Sequence, residues 1–288
     1  MEALPEDILV LQKEAVIHWA PCGEGRIPIR QWENAGAEKV VLLHGGSGSW
    51  LHWTRNIPAL REQFDVYAID LPGLGDASMC EVESDAVSAA RATRVALEQL
   101  FDSAFHVVAF SWGCTVTAML MKDMATLLKS VMLTGPAAVG DLPRRLTMKP
   151  LIKRVSGMSR DEVLAAQKEN LARLMIYQRS RIDDTAVAIQ QSNTSRARFR
   201  SPPYARGTLV IDGVRGTKTP LFVIYGDHDA PAYPDLEARR EVFQSARPDV
   251  RFELVADAGH WLQYEMPDVF NQKCIEWLNN PVSQNPRR

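Results

Sequence analysis

The sequence has little that would tie it to metals, nucleotides, nucleic acid or membranes. Its four cysteines, Cys22, Cys80, Cys114 and Cys274, are scattered and form no C-x-x-C pair. Neither a disulfide framework nor a zinc site is expected, and the four read as reduced thiols. No H-E-x-x-H, Walker A or EF-hand pattern occurs, so no metal and no organic cofactor is implied. Gly46-Ser47-Gly48 looks like half a dinucleotide fingerprint but lacks the third glycine. Charge of one sign is also missing: 33 Lys and Arg face 35 Asp and Glu, a net charge of -2 that offers nucleic acid no broad positive footprint. The charge-free stretch 104–121 holds His106, Ser111, Gly113 and two threonines, and falls short of a membrane span. The first ten residues carry Glu2, Glu6 and Asp7 in place of a basic region and an apolar run, so a cytoplasmic location is expected.

What the chain does have is a large apolar fraction, 46% of 288 residues, enough for one α/β-sized domain with an insertion. The continuous apolar runs at 40–43, 66–69, 106–110, 130–133 and 221–225 suit strands buried on both faces. Helical patterns at 53–63, 86–100, 114–128, 236–244 and 267–278 supply the crossovers that parallel strands need. Before them, 15–19 and 27–32 flank a turn-forming stretch and read as an antiparallel hairpin. The fold class that follows is α/β, a mostly parallel, doubly wound sheet. Residues 141–215 break the alternation with helical pattern and no strong strand, which predicts an inserted helical cap on a core of 1–140 and 216–288. That cap holds 12 Arg and 3 Lys against 7 acidic residues, a balance of +8 beside -10 for the remainder. A positive lid over an anionic substrate would look like this, and so would a solvated helical surface with long basic side chains. The polar tail 283–288 is expected to fray.

The sharpest chemical signal is Val107-Val108-Ala109-Phe110-Ser111-Trp112-Gly113. A strand runs into a serine with small residues two positions to either side, and a helix begins at once. A tight turn of this kind forces the serine into a strained conformation and stands its hydroxyl at the carboxyl edge of the sheet. Such a hydroxyl needs a base, and the base needs an orienting acid. Two strand-end loops answer: Gly226-Asp227-His228-Asp229 and Asp257-Ala258-Gly259-His260. Among the other histidines, His44 is expected to support a loop, His106 and His18 to be structural, and His228 to be solvated. His52, between Trp50 and Trp53, is a candidate to face the cleft.

With His44-Gly45-Gly46 and Asp70-Leu71-Pro72-Gly73-Leu74-Gly75 added, these pieces come in an order and at separations that resemble the α/β-hydrolase superfamily, over about residues 15–278. The resemblance implies a triad of Ser111, Asp229 and His260, with Asp227 a loop-capping carboxylate and Asp141 a third candidate for the acid. It also implies an oxyanion hole from the backbone N–H groups of Gly46 and Trp112. Serine at the elbow, where relatives that open epoxides or remove halides carry aspartate, implies acyl chemistry on a small-molecule carbonyl compound. Hydrolases of meta-cleavage products, which break a carbon–carbon bond, are similar in length, cap position and triad. They differ in continuing the oxyanion loop with Gly-Pro-Gly, where this chain has Ser47-Gly48-Ser49-Trp50, and in a further glycine where it has Cys114. A third reading is a small-molecule receptor on the same fold. Within the cap, Arg196 in Asn193-Thr194-Ser195-Arg196 is the residue expected to hold an anionic or strongly polar substrate group, since its planar fork can grip a carboxylate at two points.

Overall fold

A computed structural model describes residues 4–79, 85–140, 142, 149–153, 155–232 and 234–282. Among the described residues eight strands form one sheet: β1 (Val16–Cys22), β2 (Gly25–Trp32), β3 (Glu38–Leu43), β4 (Phe64–Ile69), β5 (Phe105–Phe110), β6 (Leu128–Thr134), β7 (Leu221–Gly226) and β8 (Arg251–Val255). Their spatial order is β1-β2-β4-β3-β5-β6-β7-β8. The hairpin β1–β2 and the β2–β4 pair are antiparallel; every other pair is parallel. The apolar runs explain why. Strands β4, β5 and β7 are buried at every position, which suits strands covered by helices on both faces.

The helices are α1 (Glu6–Glu14), α2 (Ile57–Leu60), α3 (Ala86–Leu100), α4 (Trp112–Leu120), α5 (Arg160–Leu174), α6 (Asp184–Arg196), α7 (Leu209–Val214), α8 (Leu236–Ala246), α9 (Leu262–Glu265) and α10 (Pro267–Asn279). The alternation of β3 side chains divides the core. Val41 and Leu43 pack in a cluster with residues of α3, α4, α7 and α8, whereas Val40 and Leu42 pack in a second with residues of α1, α2, α9 and α10. Among the described residues no helix is long and apolar enough to cross a membrane.

Several elements differ from expectation. The N-terminal α1, which buries Ile8 and Leu11 and receives the Trp32 indole N–H on the Leu11 carbonyl, was not anticipated. The single helix expected over 53–63 is a 3-10 turn, Trp50–Trp53, followed by α2, which restarts with a proline in its first turn. The helix expected over 114–128 begins at Trp112 and ends at Leu120. Between β6 and β7 the structure places α5, α6 and α7. All three bury residues against the sheet's clusters: Leu171 of α5 and Ala186, Val187 and Ile189 of α6 join that of Val40 and Leu42, and α7 buries Val210, Ile211 and Val214 in the same cluster as Ala118 and Met121 of the α4 region. The range 141–215 thus ends in a helix that packs as part of the core. Asp141, Cys80 and the tail 283–288 lie outside the described residues.

The strand order reverses at β3, which has β4 on one side and β5 on the other, and such a switch point opens a crevice at the carboxyl ends of the strands. One buried ion pair braces that edge. Asp70, just beyond β4 and fully buried, accepts from Arg30 Nη1 at 3.0 Å, the Asp76 amide at 3.0 Å and the Trp50 amide at 2.8 Å. Arg30, also buried, sends Nη2 to Asp76 at 2.6 Å. Removing the arginine would leave the Asp70 charge buried without its partner. Arg30→Ala should therefore lower the unfolding free energy by about 3–5 kcal/mol, read by urea denaturation; a loss near zero would show that the pair does not brace this edge.

Candidate active site

The turn from β5 into α4 holds Ser111 at φ 50 and ψ -109, a region where a non-glycine residue costs about 1–3 kcal/mol. The surroundings enforce it. Ser111 donates its amide to the Thr134 carbonyl of β6 at 2.9 Å, and its own carbonyl accepts the Cys114 amide at 2.9 Å. Two residues on, the α4 backbone runs so close to the end of β3 that a Cβ at Gly113 would lie 2.5 Å from the Leu43 carbonyl oxygen. Ala109, on the other side of the turn, is fully buried and its methyl group is accommodated.

Ser111 Oγ lies 3.0 Å from His260 Nε2, and His260 Nδ1 lies 2.8 Å from Asp229 Oδ2. A carboxylate can only accept, so Nδ1 carries the proton and Nε2 is left as the acceptor facing the serine hydroxyl. Both His260 and Asp229 are buried. Asp227 is elsewhere: it pairs with His228 Nδ1 at 2.7 Å and faces the Ala258 amide at 3.4 Å, the arrangement of a loop-capping carboxylate. A residue missed in the sequence, Gly135, sits behind this pair. It has φ +56, and a Cβ there would lie 2.9 Å from Asp229 Oδ2 and 3.0 Å from His260 Nδ1. The available signal was a glycine directly after the β6 run.

Gly46 and Trp112 stand side by side, a Cβ on Gly46 falling 3.8 Å from Trp112 Cβ. No acceptor among the described residues takes the backbone N–H of either. The loop that carries Gly46 is fixed by neutral histidines. The Leu71 amide donates to His44 Nε2 at 2.9 Å, so the proton is on Nδ1, which donates to the Gly45 carbonyl at 2.7 Å. The Gly45 amide donates to His52 Nδ1 at 3.2 Å. Burial holds the pKa of His44 below its ordinary value and that of His52 far below, the latter lowered further by His44 and His260 nearby. His52 is therefore a buried acceptor under the loop, between Phe110 and Trp261, and not a cleft residue. His106 joins Ser130 and Glu38 and His18 joins Gln31, both away from Ser111.

The segment between β6 and β7 packs against this edge. Ser49 Oγ donates to Asn193 Oδ1 of α6 at 2.6 Å, the Trp112 ring stacks on Phe199 at 5.0 Å, and Tyr204 lies 5.5 Å from Trp112. Ser201 Oγ is 2.2 Å from where a Gly46 Cβ would sit. Arg196, the residue expected to hold an anionic substrate group, is ion-paired within the protein. Its Nη1 is on Asp76 at 2.6 Å, its Nε on the Ser192 carbonyl at 3.2 Å and its Nη2 on Ser192 Oγ at 3.1 Å. Burial favours a neutral Asp76, but Arg196 and Arg30 outweigh it and hold the carboxyl below its usual range. Arg196 thus ties the insert to the Asp70 brace. Among the described residues no group of three or more His, Cys, Asp or Glu is placed to hold a metal.

Known proteins share both the sequence pattern and the architecture. The chain is 26% identical over 252 residues to the dihydrolipoyllysine-residue acetyltransferase component of an acetoin cleaving system from Cupriavidus necator, covering 83% of this chain but only 63% of that protein's length. It is 25% identical over 260 residues to a 2-hydroxy-6-oxononadienedioate/2-hydroxy-6-oxononatrienedioate hydrolase from Paraburkholderia phymatum, covering 85% of this chain and 88% of the relative. The crystal structure of naproxen esterase (carboxylesterase NP) from Bacillus subtilis superposes with a TM-score of 0.73 at 18% identity, over 96% of this chain and 99% of that one. The model of the alpha/beta hydrolase family matches residues 40–273, most of the sequence, and the chain belongs to that family.

Proposed function

We propose that this protein is a serine hydrolase that cleaves a carboxylic ester or related acyl bond of a small molecule. The observation that carries the reading is the unbroken hydrogen-bonded line from Ser111 Oγ through His260 to Asp229, at 3.0 Å and 2.8 Å. In the reaction His260 Nε2 takes the hydroxyl proton as Ser111 Oγ attacks the carbonyl carbon. Negative charge then grows on the carbonyl oxygen, where the Gly46 and Trp112 N–H groups donate to it. Asp229 keeps the imidazole in the right tautomer and stabilises the imidazolium. Collapse expels the alcohol with the proton from Nε2 and leaves an acyl-serine. His260 next deprotonates a water, which releases the acid and restores the serine.

A second reading, cleavage of a carbon–carbon bond beside a carbonyl, is favoured by the similarity to relatives named as 2-hydroxy-6-oxononadienedioate hydrolases. Against a direct transfer stand Ser47-Gly48-Ser49-Trp50 after the His-Gly-Gly run, and Cys114 after the elbow glycine. The surroundings of Arg196 support a substrate of low charge over an anionic one. Because Asp76 occupies Arg196, an anionic group would have to displace that carboxylate, whereas Trp112, Phe199 and Tyr204 offer an aromatic wall beside the oxyanion loop.

Fluorophosphonate treatment followed by mass spectrometry should place the adduct on Ser111, and Ser111→Ala should lower turnover of p-nitrophenyl esters by about 10³-fold or more. Asp229→Asn should cost a comparable factor, with Asp227→Asn within a few-fold of wild type; label on another residue, or the reverse order of the two aspartates, would overturn the assignment. Gly135→Ala should act differently. Its methyl group must push the His260–Asp229 pair aside, so kcat should fall by about 10²-fold in a protein whose circular dichroism is that of wild type. Unchanged kcat would mean that the pair is not confined from that side.

A further inference from the structure

Glu265, the last residue of α9, is fully buried, does not touch Ser111, and is not used by the reaction as written above. Its carboxylate accepts three backbone N–H groups: Gly259 at 2.8 Å and Tyr177 at 3.1 Å on Oε2, and Gln178 at 2.6 Å on Oε1. Gly259 immediately precedes His260, whereas Tyr177 and Gln178 belong to the insert, just after α5. The same short insert segment makes further ties to the histidine loop. Met175 accepts the Trp261 amide at 2.7 Å, and Gln178 Nε2 donates to the Asp257 carbonyl at 2.7 Å. The Tyr177 ring stacks on His228, next to Asp229, at 3.7 Å between centroids. The chains cross so closely that a Cβ at Gly259 would lie 2.6 Å from the Tyr177 nitrogen and 2.9 Å from the Met175 carbonyl oxygen.

We infer that Glu265 is a positioning residue for His260, its buried carboxylate binding the insert segment 175–178 to the Gly259 amide so that the base is aligned with Ser111 only while the insert is seated. The inference rests on the hydrolase reading and deepens it. The residues on both sides of His260 are held, Gly259 by Glu265 and Trp261 by Met175, so the imidazole is fixed from its backbone outward. Without the carboxylate, three backbone N–H groups, that of Gly259 buried, lose their acceptor and the insert loses its shared anchor with the loop. A displacement of the imidazole by about 1 Å is enough to cost about 10²-fold in rate.

The test compares wild type, Glu265→Gln and Glu265→Ala. Glutamine keeps one acceptor oxygen but turns an amide NH2 toward one of the three donors. The rate of fluorophosphonate labelling at Ser111, per folded molecule, should fall about 10-fold in Glu265→Gln and about 100-fold in Glu265→Ala. For a p-nitrophenyl ester, kcat should fall in parallel while KM stays within about two-fold. Amide hydrogen exchange should speed up together in 175–178 and 259–261. If Glu265→Ala does not fold, Glu265→Gln carries the comparison. Variants that melt earlier yet label at the wild-type rate, or that label slowly with unchanged exchange in these two segments, would overturn the inference. Wild-type protein that takes no label on Ser111 would overturn the hydrolase reading and this inference with it, a failure told apart from the others because it appears before any substitution is made.

Discussion

The close crossing of two chain segments at the carboxyl edge of the sheet governs the geometry of the whole site. Strand β5 must turn sharply into α4 while the end of β3 passes against the start of that helix, with no room for a Cβ at Gly113 beside the Leu43 carbonyl. This crossing forces Ser111 into positive φ, and it brings the loop after β3 alongside Trp112. Strand pairing sustains the strain. Ser111 hydrogen-bonds to Thr134 at the end of β6, so relaxing the turn would cost sheet hydrogen bonds and packing on both faces. The serine is half-buried at the carboxyl edge of the sheet, and the residues beneath it pack in the parallel core.

Around that crossing, polar side chains do the positioning, several of them through partners distant in sequence. Asp70 holds the Trp50 amide and Arg30, Asp76 adds Arg196, and Ser49 reaches Asn193. His44 and His52 serve the same end as neutral rings, kept uncharged by burial so that each can accept a backbone N–H. These contacts hold the glycine-rich loop in place beside Trp112.

The basic balance of the insert takes on a different meaning in this light. Arg196 faces Asp76 of the core, and Arg173 and Arg179 share Glu169. Asp183 is met by Arg55 and Tyr264 of the core. Several of the charges that make the segment look like an electropositive lid are thus spent on attachment and on pairing within it. A charge sum counts residues; it does not record which carboxylate each guanidinium has found.

The sequence by itself determined the elements whose cause is local. Continuous apolar runs produce strands buried on both faces, and the Ala109–Gly113 frame produces a strand, turn and helix with a serine at the bend. Chain order then narrowed the candidate base and acid to two strand-end loops. It could not separate Asp227 from Asp229 on local grounds, because two residues in one short loop differ only in which way the fold turns them. The tertiary structure alone decided that His52 lies under a loop instead of in the cleft, that α7 packs with the core, and that Arg196 is taken by Asp76. The same holds for Gly135 and Glu265, whose partners are 94 to 125 and 6 to 88 residues away along the chain. Pattern and propensity act over a few residues, whereas the burial of a carboxylate or the crowding of a glycine is set by whichever distant segment the packing brings against it.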